Sequence, residues 1–299
     1  MRFTFLLTAW LHVISACAGT DSAPDVFVDA APDDSFDALD DPSATDLAEG
    51  LDPTASGPCT VLFGLPNEKT GLTAEQCQPR CSCDGRTFEP PAYTEAQIAA
   101  LEARVLVNPF APPDADPYAN PAAHVPVEGA VCGVLPEPSV AGGYRLATYA
   151  SRAAALEDGA IPSHEGACGL CSPLVDLAVY LRHPDLTEPV RACGLKGISE
   201  GEEAQMQCLR EVGFDLPCAR IWYYNTRATQ KACGGVCLAA LNQPYHAPDG
   251  ALNACLQCDE EKSGPVFKAV AGRNRRNTGL PSSMCRPCAE VQPFVHLYP

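Results

Sequence analysis

The chain has 299 residues, 37 acidic against 20 basic side chains, a net charge of −17 and 17 cysteines. So negative a balance has the wrong sign for a polyanionic partner, and nucleic-acid binding is set aside. Beyond the first twenty residues no apolar run reaches membrane-spanning length.

The chain opens with one cation, Arg2, an apolar run over residues 3–14 and then small side chains. This is the pattern of a signal peptide over residues 1–16, too short for a stable transmembrane helix. Ile14-Ser15-Ala16-Cys17 resembles the lipobox of bacterial lipoproteins. The resemblance implies lipidation of Cys17, palmitate included, and a membrane partner reached through that anchor. Ala18 after the cysteine, rather than Asp, implies the outer membrane or cell surface. The alternative is a secreted soluble protein, because Ala16-Cys17-Ala18 also satisfies the A-x-A cleavage pattern.

Residues 17–56 read as a tether. Asp21, Asp25, Asp29, Asp33, Asp37 and Asp41 recur every fourth residue, with Pro24, Pro32, Pro42 and Pro53 among them and no Lys or Arg between residues 19 and 57. On a helix that spacing would stack like charges on one face. An extended, self-repelling, disordered linker is expected instead. A calcium-binding repeat is the alternative, but the stretch lacks the turn glycine and closing glutamate of a calcium loop. The eleven acids of residues 21–52 against the single Arg2 account for −10 of the −17, leaving −7 for residues 53–299.

Residues 57–299 are expected to form a single disulfide-rich globular domain, mainly α with minor β. Without Cys17, sixteen cysteines remain: Cys59, Cys77, Cys81, Cys83, Cys132, Cys168, Cys171, Cys193, Cys208, Cys218, Cys233, Cys237, Cys255, Cys258, Cys285 and Cys288. An even number in an exported chain predicts a disulfide framework. Residues 57–92 lack periodicity and read as a bridged, loop-rich segment. Thr94 and Gln97 form a capping box for a helix whose face is Ile98, Leu101 and Val105, ended before Pro109. A Pro-rich loop covers 108–130, and GYRLATY at 143–149 alternates as a strand. Ser172-Pro173 predicts a helix to about Leu181. Ser199 with Glu202 predicts a capped helix closed by Gly213, and further helices are expected over 217–232 and from Ser263.

Two stretches carry possible chemistry. The first is HEGACGLCS, residues 164–172. Haem attachment is excluded, because no Cys-x-x-Cys is followed by His. A thioredoxin-like couple wants a strand before the motif, and DGAIPSHEGA reads as a loop. His164, Cys168 and Cys171 offer soft ligands for Zn or Cu. The pairs Cys255/Cys258 and Cys285/Cys288 are a second possible zinc set, at a gap longer than a ribbon uses. The segment from Glu165 to Cys171, at a helix start, resembles the nucleophile segment of papain-like cysteine peptidases. That resemblance implies Cys171 as nucleophile, Cys168 as its bridged neighbour, and His246 or His296 as base. Glu165 stands where that family has its oxyanion glutamine, Ser172 where it has an aromatic residue, and its Asn-Ser-Trp segment is absent. A helix N-terminus would lower the thiol pKa. The plainer reading makes both cysteines staples.

The second stretch runs from Lys262 to Arg286 with six cations and no acid. Arg273, Arg275 and Arg276 offer planar donors suited to carboxylate or phosphate, which predicts an anionic ligand or glycan. The plainer reading pairs these cations with Asp259, Glu260 and Glu261 at a helix end. The body resembles exported Cys-rich proteins that share the CGLCSPLVDLAVYL and SGPVFKAVAGRNRRNTGLPSSMCRPC kinds of segment, to which no activity is attached. The expectation is therefore a lipid-anchored extracytoplasmic binding or structural module, not an enzyme and without a cofactor. The alternatives are a cysteine hydrolase using Cys171 and a metal-binding protein.

Overall fold

The computed structural model describes residues 59–298; the signal peptide, Cys17 and the acidic tether lie outside them. The architecture is mainly α with a minor β component, held by eight disulfides. Every one of the sixteen body cysteines is paired.

The leading segment carries short strands β1 (Leu62–Phe63), β2 (Cys77–Gln78), β3 (Cys81–Cys83) and β4 (Arg86–Phe88). Its apolar content is small, two clusters around Phe63 with Val291 and around Leu72, and disulfides run through both. Cys59–Cys83 closes the segment on itself, while Cys77–Cys285 and Cys81–Cys288 tie it to the far end of the chain. Closing a loop of about 200 residues restricts the unfolded chain strongly, on the order of 5 kcal/mol for the first of the two bridges in the entropy model; the second closes only a short additional loop.

Helix α1 (Glu95–Glu102) has the predicted Thr94/Gln97 capping box and buries Ile98 and Leu101. It stops short of Val105, which instead enters strand β5 (Val105–Leu106). A β-branched pair at 105 and 107 suits extended backbone better than another helical turn. β5 is the parallel edge of a four-stranded sheet completed by β6 (Val131–Pro136), β7 (Gly143–Tyr149) and β8 (Ile161–Glu165), in the order β5-β7-β6-β8. Helix α2 (Arg152–Glu157) links β7 to β8. β8 corrects the loop reading of residues 158–167. Its buried residues are Ser163 and His164, so no apolar alternation announces it, and Pro162 is tolerated because the strand is an edge.

Helix α3 (Leu174–Arg182) begins three residues after Cys171, without a side-chain cap from Ser172. Helix α4 (Thr187–Glu200) was not expected; its Pro189, Gly194 and Gly197 hide it. Ser199 lies in its last turn and bonds back to Leu195 and Lys196 carbonyls rather than capping the next helix. Gly201 separates it from α5 (Glu202–Val212), which ends on left-handed Gly213 as predicted. Helix α6 (Leu216–Ala239) is capped by Asp215 and runs seven residues past the expected end at 232. Helix α7 (Ala254–Lys262), capped by Asn253, was also unforeseen; α8 (Gly264–Ala271) was predicted. β9 (Arg286–Pro287) pairs with β1 and returns the chain to its start.

One main core joins these parts. Leu174, Leu177 and Ala178 of α3 pack with Val134, Tyr144 and Leu146 of the sheet, Leu209 of α5, Ile221 of α6 and Phe267 of α8. Cys193–Cys208 pins α4 to α5, and Cys233–Cys258 with Cys237–Cys255 clamps α6 to α7 on successive turns.

Candidate functional site

The HEGACGLCS segment is a closed junction. Cys168 pairs with Cys132 of β6, and Cys171 with Cys218 of α6. The two cysteines of the motif therefore have different partners, and the motif forms no Cys-x-x-Cys couple. The loop docks on the end of α8, where Leu170 and Cys171 amides donate to the Val270 and Ala271 carbonyls at 3.0 and 2.8 Å. Gly169 permits this, because a Cβ there would stand 2.4 Å from the Val270 carbonyl oxygen.

Behind the loop lies a buried polar network. His164 Nδ1 donates to the Glu165 carbonyl at 2.9 Å, so Nε2 accepts from Ser172 Oγ at 2.7 Å, and Ser172 Oγ accepts from the Gly169 amide. Arg273 donates from Nε to the Cys171 carbonyl and from Nη2 to Ser163 Oγ and the Ser172 carbonyl. Tyr298 Oη, bonded to Ser163 Oγ, continues to His296 Nδ1, whose Nε2 donates to the Thr278 carbonyl. His164, Ser172 and Arg273 are all 0% exposed. Burial and the Arg273 charge hold His296 down at about 3 and His164 well below its ordinary value, so both imidazoles are neutral.

This arrangement corrects four expectations. Cys171 has no thiol to act as nucleophile, because its sulfur is bonded to Cys218. His296 is locked in the network, and His246 Nδ1 bonds the Gly250 carbonyl while its Nε2 accepts from the Cys285 amide, so neither is poised as a base. His164, Cys168 and Cys171 do not form a ligand set, since both sulfurs are in disulfides and the imidazole is saturated. Cys255, Cys258, Cys285 and Cys288 pair with Cys237, Cys233, Cys77 and Cys81, which leaves no zinc-ribbon thiolates. A different donor cluster exists at Cys59, Cys83 and Asp84, whose ligand atoms lie within 4.8 Å of one another. Its two sulfurs are the ends of one disulfide, so it is a candidate for metal only when reduced.

The arginine stretch splits between two environments. Arg273 is sealed in the network above, with its Nη1 left without a partner. Arg275 donates to the carbonyls of Pro281, Tyr180 and His183, and burial lowers it to about 10. Arg276 pairs its Nη1 with Glu290 and its Nη2 with Glu260, and is the one of the three held by carboxylates. The expected surface of Arg273, Arg275 and Arg276 is thus not one surface.

Arg276 lines a groove of about 480 Å³. Its walls are α4 (Val190, Leu195, Ile198), α6 (Trp222, Thr226, Leu238), α7 (Leu256, Glu260) and α8 (Phe267, Lys268), with Leu280 and Arg286 from the returning chain. The volume is that of a small-molecule site, and the walls are mostly apolar with a few convergent polar groups. Ile198 and Leu238 at its edge are 65% and 70% exposed. At one end Glu260 accepts from Lys268, Arg276 and Arg286 together. Burial pushes this carboxylate up, but the three cations outweigh it and hold it below the usual range. Next to it, Asp259 Oδ1 accepts from Thr229 Oγ1 and Ser263 Oγ, and burial raises its pKa.

Sequence reasoning found Arg276 and the pairing of this stretch with Glu260, but not the groove. Leu195, Ile198 and Leu238 belong to helix segments it did not foresee, and Lys268 and Arg286 were counted only as members of a basic run. Residues 202–293, from α5 through the arginine stretch, are similar to the Family of unknown function (DUF8771). No curated protein and no solved structure matches the chain.

Proposed function

We propose that this protein is an exported, lipid-anchored binding module that holds an apolar small molecule in the groove between α4, α6, α7 and α8. The observation that carries the reading is the groove itself: a cleft of about 480 Å³ with apolar walls that leaves Ile198 and Leu238 in water. Soluble surfaces rarely keep such side chains together without a use for them. Its walls are fixed, because three disulfides pin α4 to α5 and α6 to α7. The anchor at Cys17 follows from the lipobox resemblance, and the acidic tether would hold the body off the membrane surface. Among the described residues no helix is long and apolar enough to cross a membrane.

Titration with an uncharged solvatochromic dye tests the groove. Binding should be saturable and should weaken at least fivefold in Leu195→Asp/Leu238→Asp, two exposed positions whose change leaves the fold intact. Equal binding by the variant would place any apolar site elsewhere and sink the reading. The anchor is tested by metabolic labelling with an alkyne fatty acid, expected in the native chain and lost in Cys17→Ser.

A further inference from the structure

Resting on that groove reading, we infer that the ligand is an anionic amphiphile, an alkyl chain bearing a carboxylate or phosphate head, with the head at Lys268, Arg276 and Arg286. That end of the groove keeps donors in hand. Glu260, the acid of that end most exposed to the cations, is saturated by three of them. Lys268 Nζ makes one hydrogen bond and Arg286 uses only Nη2. Neither residue's remaining N–H groups are sealed off: the Lys268 side chain is 34% exposed and that of Arg286 12%. Asp259 has one oxygen taken by two hydroxyls and its Oδ2 left over, while the Arg275 donors go to three carbonyls and add nothing. What this end still offers is donors on cations, the complement of an anionic head.

The groove also has a direction. The bridges Cys233–Cys258 and Cys237–Cys255 set α6 and α7 antiparallel, so Leu238 and Leu241 lie by the start of α7 and Asn225 and Thr229 by its end. Leu256 and Glu260 share one face of α7, one turn apart. Asp259, beside Glu260, bonds Thr229, and from Leu238 back to Thr229 is nine residues of helix, about 13 Å. The apolar positions around Leu238 and the cations on Glu260 are therefore separated by roughly the length of a medium alkyl chain. A ligand with its charge at one terminus fits this layout.

Competition against the uncharged dye decides it, using the exported full chain carrying Cys17→Ser so that no acyl group of its own competes. Dodecanoate should displace the dye at least tenfold better than dodecanol, with an advantage that shrinks at high salt. Each methylene added to the carboxylate should strengthen binding about fourfold until the groove is full. Lys268→Gln, and separately Arg286→Gln, should erase most of the carboxylate's advantage while leaving dodecanol unchanged. Lys268 is partly exposed, so that variant keeps the test intact if Arg286→Gln fails to fold. A stronger response to dodecyl phosphate than to dodecanoate would identify a phosphate head. Equal competition by dodecanol and dodecanoate, or preference for dodecyltrimethylammonium, would overturn the inference while leaving the groove reading standing. No dye binding at all would remove both. A dimer that Leu238→Asp dissolves would also overturn it, since the groove would then be covered by a second copy.

Discussion

Arg273 and Arg276 are three residues apart, yet they live in opposite surroundings. Arg273 is fully buried, with no carboxylate in salt-bridge range among the described residues and its donors on two carbonyls and a serine. Arg276 sits on the wall of an open groove, shared between two carboxylates. Residue type alone cannot distinguish them. The difference is where each one's donors lie: those of Arg273, its unpartnered Nη1 included, are sealed in the core, whereas Arg276 lines an open groove. The junction behind the HEGACGLCS loop is thus a place of structure, and the groove is the place of proposed function.

Removing the buried arginine should break that contrast most severely. Arg273→Ala leaves the Cys171 and Ser172 carbonyls unpartnered and a large void, at about 4–5 kcal/mol. Arg273→Lys should recover little, because one ammonium cannot reproduce a fork that reaches three acceptors. Thermal melts decide between this and a tolerated loss of under about 1 kcal/mol, which would mean that the network is dispensable.

Nearly as large is the expected effect of opening the bridge that replaced the hypothetical nucleophile. Cys171→Ala with Cys218→Ala unlinks a 47-residue separation, worth about 4 kcal/mol. The native protein, denatured without reductant, should take up no alkylating reagent at any of the sixteen body cysteines. One labelled thiol at Cys171 would restore the hydrolase reading.

Acid should separate the two regions next. His296 titrates at about 6.5 when unfolded and at about 3 when folded. Between those values the unfolded chain binds the extra proton, so stability is full above about 6.5 and is lost as pH falls. At pH 4.5 this amounts to about 2–3 kcal/mol, and His164 acts in the same direction. Asp176 opposes them: burial and the neighbouring Asp215 raise its folded pKa, so its contribution falls as pH rises above about 3.9. Denaturation curves of His296→Gln should lose part of the acid limb. If that limb were unchanged, the imidazole would not be the group that titrates.

How much of this could be read in the chain depends on where each signal was stored. The Thr94/Gln97 box and the Gly213 stop are local and were legible. So was the even number of cysteines, although not their pairing, which joins residues up to 208 positions apart. β8 was hidden because its buried side chains are polar, and α4 because tertiary packing and the Cys193–Cys208 bridge override the weak propensity of its glycines and proline. The groove could not be seen at all, since four helices and a returning segment build it, and two of those helices were missed.

The smallest expected effect on stability is also the sharpest test of the comparison. Lys268 pairs with Glu260 at 3.3 Å and is partly exposed. Glu260 keeps Arg276 and Arg286 when that lysine is neutralised, so Lys268→Gln should cost no more than about 0.5 kcal/mol. In the junction, by contrast, each cation is a structural part and no change is cheap. If the groove is a binding site, the same substitution that barely moves the melting temperature should remove most of the preference for an anionic head. A loss of stability comparable to that of Arg273→Ala would instead make the Glu260 cluster a second buried staple. The contrast between the two arginines would then be one of degree, with no functional division behind it.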